Sequence, residues 1–167
     1  MSRRLWNLAG FIACAGLLGY AYYSQYVLHL DPCPLCIFQR VGVFATGIVF
    51  LAAAAHAPKG GGRVAYAVLL ALTALATVAV AARQLYIQSL PPGAVPTCGA
   101  SLNFLLQVLP LKDVLVKVLS GSGECAKVDW RLLGLAMPAW VLMASAGLGA
   151  FGVWANARRG VATARPR

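Results

Sequence analysis

The chain has 167 residues, 60% of them hydrophobic and only 11% charged, with a formal net charge of +10. A soluble domain carries about a quarter charged residues, so this composition excludes an ordinary soluble protein. The basic excess fits a nucleic-acid partner only if it is gathered on one face, and its distribution along the chain argues against that.

Four uncharged stretches, 5–26, 41–57, 64–82 and 132–155, each come near the roughly 17–25 residues that cross a bilayer as a helix. They predict one all-α membrane domain over 1–167, a four-transmembrane-helix bundle. Its spans lie at about 7–26, 41–57, 64–82 and 138–156, with outer loops at about 27–40 and 83–137. The N-terminus, the 58–63 turn and the C-terminus lie on the opposite side. Arg3 and Arg4 precede the first stretch as in a secretory signal, but its apolar run exceeds a signal core of about 7–15 residues and no small-residue cleavage site follows. It reads as a retained span, and Cys14 within it as a small buried hydrophobe.

The first outer loop carries His29, Asp31, Pro32 and the motif Cys33-Pro34-Leu35-Cys36. Pro32 and Pro34 keep the backbone extended ahead of them, so the second helix is expected to start near Cys36. Two intervening residues let the sulfurs of a CxxC pair meet. A cysteine at a helix start also feels the positive end of the helix dipole, which favours a thiolate. Arg40, four residues after Cys36, falls on the same helix face. It serves either as a charge partner for Cys36 and a bound carrier or as a snorkelling arginine at the membrane boundary.

The second outer loop opens with the Pro/Gly-rich run 91–97, which ends at Cys98. Such an extended segment suits strand-addition recognition by a partner. Leu111, Val114, Leu115, Val118 and Leu119 then recur at helical spacing, which predicts a short amphipathic helix in the membrane interface; packing against protein is the alternative. Cys125 follows Gly121-Ser122-Gly123. Cys98 and Cys125 read as a structural staple or as a second redox pair, and the CxxC pair tips the balance toward redox.

If the spans alternate, Arg3, Arg4, Lys59, Arg63, Arg158, Arg159, Arg165 and Arg167 share one side with no acid, a charge of +8. The other side has six basic and four acidic residues, a charge of +2. This asymmetry is the positive-inside pattern. It puts the basic side in the cytoplasm and both cysteine loops outside, where disulfides persist. The basic residues are topology determinants, and no nucleic-acid partner is expected.

One CxxC with two distant cysteines matches paired-CxxC zinc sites poorly, and Ile37 stands where a c-type haem motif needs histidine, so no metal is expected. A Gly-rich dinucleotide fingerprint is also missing from the sequence. Electrons taken from the thiols therefore point to a membrane quinone.

At these residues the chain resembles the bacterial disulfide bond formation protein B (DsbB) family. The likeness spans nearly the whole chain. It rests on Asp31-Pro32-Cys33-Pro34-Leu35-Cys36 with Arg40, on Pro96-Thr97-Cys98 and on Gly123-Glu124-Cys125-Ala126. It continues through Trp130, Leu133-Gly134-Leu135 and Met137-Pro138-Ala139-Trp140. The resemblance implies a quinone-dependent protein-disulfide oxidoreductase of the bacterial inner membrane that reoxidises a periplasmic DsbA-type dithiol oxidase. It implies the redox-active disulfides Cys98–Cys125 and Cys33–Cys36, with Cys98 joined transiently to the partner and Cys33 transiently to Cys125. Cys36 would meet the quinone, ubiquinone or alternatively menaquinone, with Arg40 beside it. A vitamin K epoxide reductase-like enzyme fits less well, because its CxxC lies near the last helix of the bundle. Some DsbB members carry a histidine near the start of the long loop. Here residues 83–88 contain none, so Gln84 or Gln88 replaces that contact or the family can do without it.

Overall fold

The computed structural model describes residues 2–58, 60–91, 104, 107–121, 123–128 and 130–157. Its elements are α1 (Arg3–Tyr26), α2 (Pro34–His56), α3 (Gly61–Ser89), α4 (Leu111–Ser120), the single turn α5 (Gly123–Ala126), the short strands β1 (Arg131–Leu132) and β2 (Leu135–Ala136), and α6 (Met137–Ala157). Helices α1, α2, α3 and α6 are each long and apolar enough to cross a membrane, so the chain is a multi-pass all-α membrane protein.

Helices α2 and α3 run past the apolar stretches that locate them. α2 begins at Pro34 and α3 continues to Ser89, whereas the apolar runs stop at the charged residues Arg40 and Arg83. Both charges are absorbed without breaking the helix. Arg40 donates to the Ala21 carbonyl at 3.0 Å, and Arg83 donates to the carbonyls of Leu119 and Ser120 at 2.9 and 3.3 Å. Those last carbonyls of α4 have no partner within their own helix. The helical extensions carry the polar residues of the site.

Close helix approach depends on small residues, as expected where lipid removes the hydrophobic drive for association. A Cβ at Gly149 of α6 would lie 2.7 Å from Cβ of Ala74 on α3, and one at Gly10 of α1 would lie 2.6 Å from the Phe50 ring on α2. Cys14 is buried against Gly47, matching its reading as a small hydrophobe. At the end of the bundle away from the CxxC motif, Asn7 and Asn156 exchange side-chain hydrogen bonds of 3.2 and 2.9 Å between α1 and α6. Trp6, Phe151 and Trp154 make edge and tilted ring contacts beside them.

The amphipathic stripe is divided between two environments. Val114 and Val118 of α4 are buried against Cys33, Leu35, Ile87 and Cys125, while Leu111, Leu115 and Leu119 are exposed. So α4 packs on protein along one edge and keeps an apolar edge turned away from it. The β1–β2 hairpin, unforeseen from the sequence, pairs Arg131 with Ala136 and Leu132 with Leu135. Its turn takes positive φ at Leu133 and Gly134, the backbone that a two-residue hairpin requires.

Candidate functional site: a cysteine cluster over an apolar cavity

The site is built on the first turn of α2. Cys33 is its N-cap, with Pro34 in the first turn, where the missing N–H costs nothing. The Cys33 sulfur accepts the backbone N–H of Cys36 at 3.3 Å, so capping and the CxxC turn are one arrangement. The two sulfurs lie 2.7 Å apart in hydrogen-bond contact.

Cys125, carried by α5, is also buried and hydrogen-bonds Cys33. Cys33 therefore has a sulfur neighbour on each side. Its hydrogen bonds to Cys125 and to Cys36, and then its burial, hold its thiol well above the usual thiol range. Ile87, Val114 and Val118 surround the pair and keep water from it. Cys98 and the extended run before it lie outside the described residues.

Polar support comes from α3. The Gln84 Nε2 donates to the sulfurs of Cys33 and Cys36 at 3.3 and 3.4 Å. Its Oε1 accepts from Gln39 Nε2 at 2.6 Å. Of the two glutamines weighed at the start of the long loop, Gln84 thus reaches the reactive sulfurs. Gln88 donates to the Lys127 carbonyl at 3.5 Å, and its buried Oε1 has no hydrogen-bond partner among the described residues. Gln39 carried no sequence signal: an amide one residue before an arginine reads as helix surface until α3 is laid over it.

Arg40 shares the site but is tethered elsewhere. Its guanidinium donates to the Gln25 side chain and the Ala21 carbonyl on α1 and sits 5.2 Å from the centre of the Tyr22 ring. The hydrogen bonds to the Cys36 sulfur come from Gln84 and Cys33, while Arg40 stands along the wall of the same cavity.

That cavity, of about 240 Å³, is lined by Cys33, Cys36, Gln39, Arg40, Gln84 and Gln88 on its polar side. Leu17, Val43, Trp130, Trp140 and Val141 form apolar walls. A flat ring with carbonyl oxygens and an apolar tail matches this lining. The guanidinium offers donors to such carbonyl oxygens, Gln88 Oε1 offers an acceptor for the hydroxyl of the reduced ring, and Cys36 offers the reactive sulfur. His29, His56 and the acids form no metal-holding group with the cysteines among the described residues.

A four-helix membrane bundle with clustered cysteines over an apolar, amide-lined cavity defines a membrane thiol–disulfide oxidoreductase. Residues 3–155 match the family model described as Disulfide bond formation protein DsbB. Curated relatives named Disulfide bond formation protein B agree with it. One from Hahella chejuensis is 50% identical over 147 residues, 88% of each chain. One from Methylococcus capsulatus is 49% identical over 160 residues, 95% of this chain and 98% of its own. A third, from Chromobacterium violaceum, is 46% identical over 163 residues, again 95% and 98%. The chain belongs to the DsbB family, as its cysteine motifs imply, and is a membrane oxidoreductase of disulfide bond formation.

Proposed function

We propose that the protein reoxidises a DsbA-type dithiol oxidase in the periplasm and passes the electrons through Cys98–Cys125 and Cys33–Cys36 to a quinone of the inner membrane. The observation that carries this reading is the position of Cys33, in hydrogen-bond contact with both Cys36 and Cys125. A sulfur with two sulfur neighbours can exchange one disulfide for another without moving far.

A thiolate of the partner attacks Cys98, opens Cys98–Cys125 and leaves the electron pair on Cys125. Cys125 then attacks Cys33, forming Cys33–Cys125 and releasing Cys36 as the thiolate. The partner's second thiol attacks the partner sulfur of its bond to Cys98, completes the partner's disulfide and frees Cys98. Cys98 attacks Cys125, which restores Cys98–Cys125 and leaves Cys33 and Cys36 reduced. A quinone held in the cavity between Arg40, Gln88 and the apolar walls would supply the two-electron, two-proton acceptor for the reduced pair. Cys33 and Cys36 rejoin at that point. The net reaction converts one partner dithiol to a disulfide, and each exchange follows ordinary thiolate attack through a mixed disulfide. Arg40 would donate to a ring oxygen, Gln88 Oε1 would accept from the hydroxyl of the reduced ring, and Ile87, Val114 and Val118 exclude competing thiols.

The reading is tested with purified protein, ubiquinone and a reduced DsbA-type partner. The expected result is stoichiometric partner disulfide and quinol, abolished by Cys36→Ser. Normal turnover of Cys36→Ser, or oxidation of more partner than the protein's own two disulfides account for in the absence of quinone and oxygen, overturns it.

A further inference from the structure

The exchange above uses four cysteines and Arg40 but gives no task to the two buried amides beside them. Gln39 and Gln84 are only 4% and 3% exposed, and burial of two side-chain amides at a reactive centre is expensive unless each polar atom has a partner. Their shorter hydrogen bonds run in one direction, from Gln39 Nε2 to Gln84 Oε1 at 2.6 Å and from Gln84 Nε2 to both sulfurs at 3.3 and 3.4 Å, while the Cys36 thiol can donate to Gln84 Oε1 only over a longer 3.7 Å.

The direction has a chemical reason. Sulfurs in a disulfide, and a thiolate, can only accept hydrogen bonds. Only an amide that turns its NH2 toward them is satisfied in those states. Turning Gln84 alone would set its NH2 against the NH2 of Gln39, donor against donor. The Gln39 contact therefore locks the Gln84 donors onto the sulfurs.

We propose that Gln84 is a catalytic residue whose NH2 stabilises the electron pair left on Cys36 when the Cys33–Cys36 disulfide opens, and that Gln39 is the positioning residue that fixes its orientation. In that step Cys125 forms a bond to Cys33, the Cys33–Cys36 bond breaks, and both electrons of the broken bond stay on Cys36. No net oxidation occurs in the exchange. Donors to the departing sulfur favour its release and favour the reduced pair over the disulfide, so they make Cys33–Cys36 a stronger oxidant. The proposal rests on the redox reading of this pair, but its consequence is an equilibrium property measurable without quinone or partner.

The test is the full-length protein carrying Cys98→Ala and Cys125→Ala, equilibrated with glutathione buffers and analysed by thiol trapping and mass spectrometry. Gln84→Leu is expected to shift the equilibrium about tenfold toward the disulfide, about 30 mV to more negative potential for a two-electron couple. Gln39→Leu is expected to shift it in the same direction by about threefold, roughly half that in mV, and to add nothing when Gln84 is already Leu. Gln84→Met carries the same test if Gln84→Leu does not fold. An unchanged potential in a folded Gln84 variant overturns the proposal. A Gln39→Leu shift of equal size with and without Gln84 overturns the positioning role. Lack of turnover with quinone in the unsubstituted protein counts against the proposed function alone and leaves the titration readable.

Discussion

The guanidinium of Arg40 is held by the side chain of Gln25, so the arginine lining the cavity next to the CxxC motif is tied to a different helix. A second donor reaches the Ala21 carbonyl. The planar fork spans both acceptors, which a lysine ammonium cannot reproduce. Hydrogen bonds to a charged group are worth about 1.5–3 kcal/mol, and each 1.4 kcal/mol is about tenfold in affinity. Arg40→Lys is therefore expected to raise KM for quinone about tenfold. Gln25→Leu, which keeps the Ala21 contact, should raise it by about threefold. Steady-state kinetics with a short-chain ubiquinone measures both, and an unchanged KM in Arg40→Lys removes Arg40 from the quinone site.

Contact between Cys33 and Cys125 predicts a specific disulfide. In a protein carrying Cys36→Ser and Cys98→Ser, mild oxidation should join Cys33 to Cys125 in nearly all molecules, visible as one linked peptide in non-reducing mass spectrometry. Persistence of two free thiols contradicts the geometry. In the reduced unsubstituted protein, the raised pKa of Cys33 keeps it protonated at pH 8, so iodoacetamide should label Cys36 well before Cys33. Cys125→Ala removes the largest cause of that shift and should speed labelling of Cys33.

At the other end of the bundle, the Asn7–Asn156 pair offers a stability test. A buried polar group that loses its partner costs about 1–3 kcal/mol, but hydrogen bonds between membrane helices average nearer 0.6 kcal/mol. Asn156 also keeps its bond to the Gly152 carbonyl at 2.9 Å, so the lower figure governs. Asn7→Leu should destabilise by about 0.6 kcal/mol, and adding Asn156→Leu should cost less than the sum of the single changes. Additive losses in detergent unfolding would show that the two amides do not act as a pair.

Packing of α3 on α6 gives a contrast within one helix. Gly149→Val places its Cβ into Ala74, and overpacking of this kind costs about 1–3 kcal/mol. A Cβ at Gly147 meets nothing within 4 Å, so Gly147→Ala should leave the unfolding midpoint nearly unchanged. Equal losses at both positions would show that helix propensity governs here and packing does not.

The sequence by itself determined the membrane class, the four spans and, through its cysteine motifs, the family. Length, hydropathy and charge asymmetry act along the chain, and Cys33-Pro34-Leu35-Cys36 is local to one turn. The turns of α3 beyond Arg83 were hidden, because hydropathy ends at a charge whereas backbone hydrogen bonding does not, and α2 starts at Pro34, two residues before the expected Cys36, because proline fits the first helical turn. The family resemblance implied that Cys125 meets Cys33, whereas tertiary structure alone decided that Arg40 is anchored to Gln25 and that Gln84 with Gln39 turns its amide onto the sulfurs. Each of these joins residues at least 15 positions apart, and their geometry depends on how the helices pack, through contacts such as Gly149 on Ala74 and Gly10 on Phe50. No pattern along the chain encodes that distance, so the reactive pair was legible in the sequence and its surroundings were not.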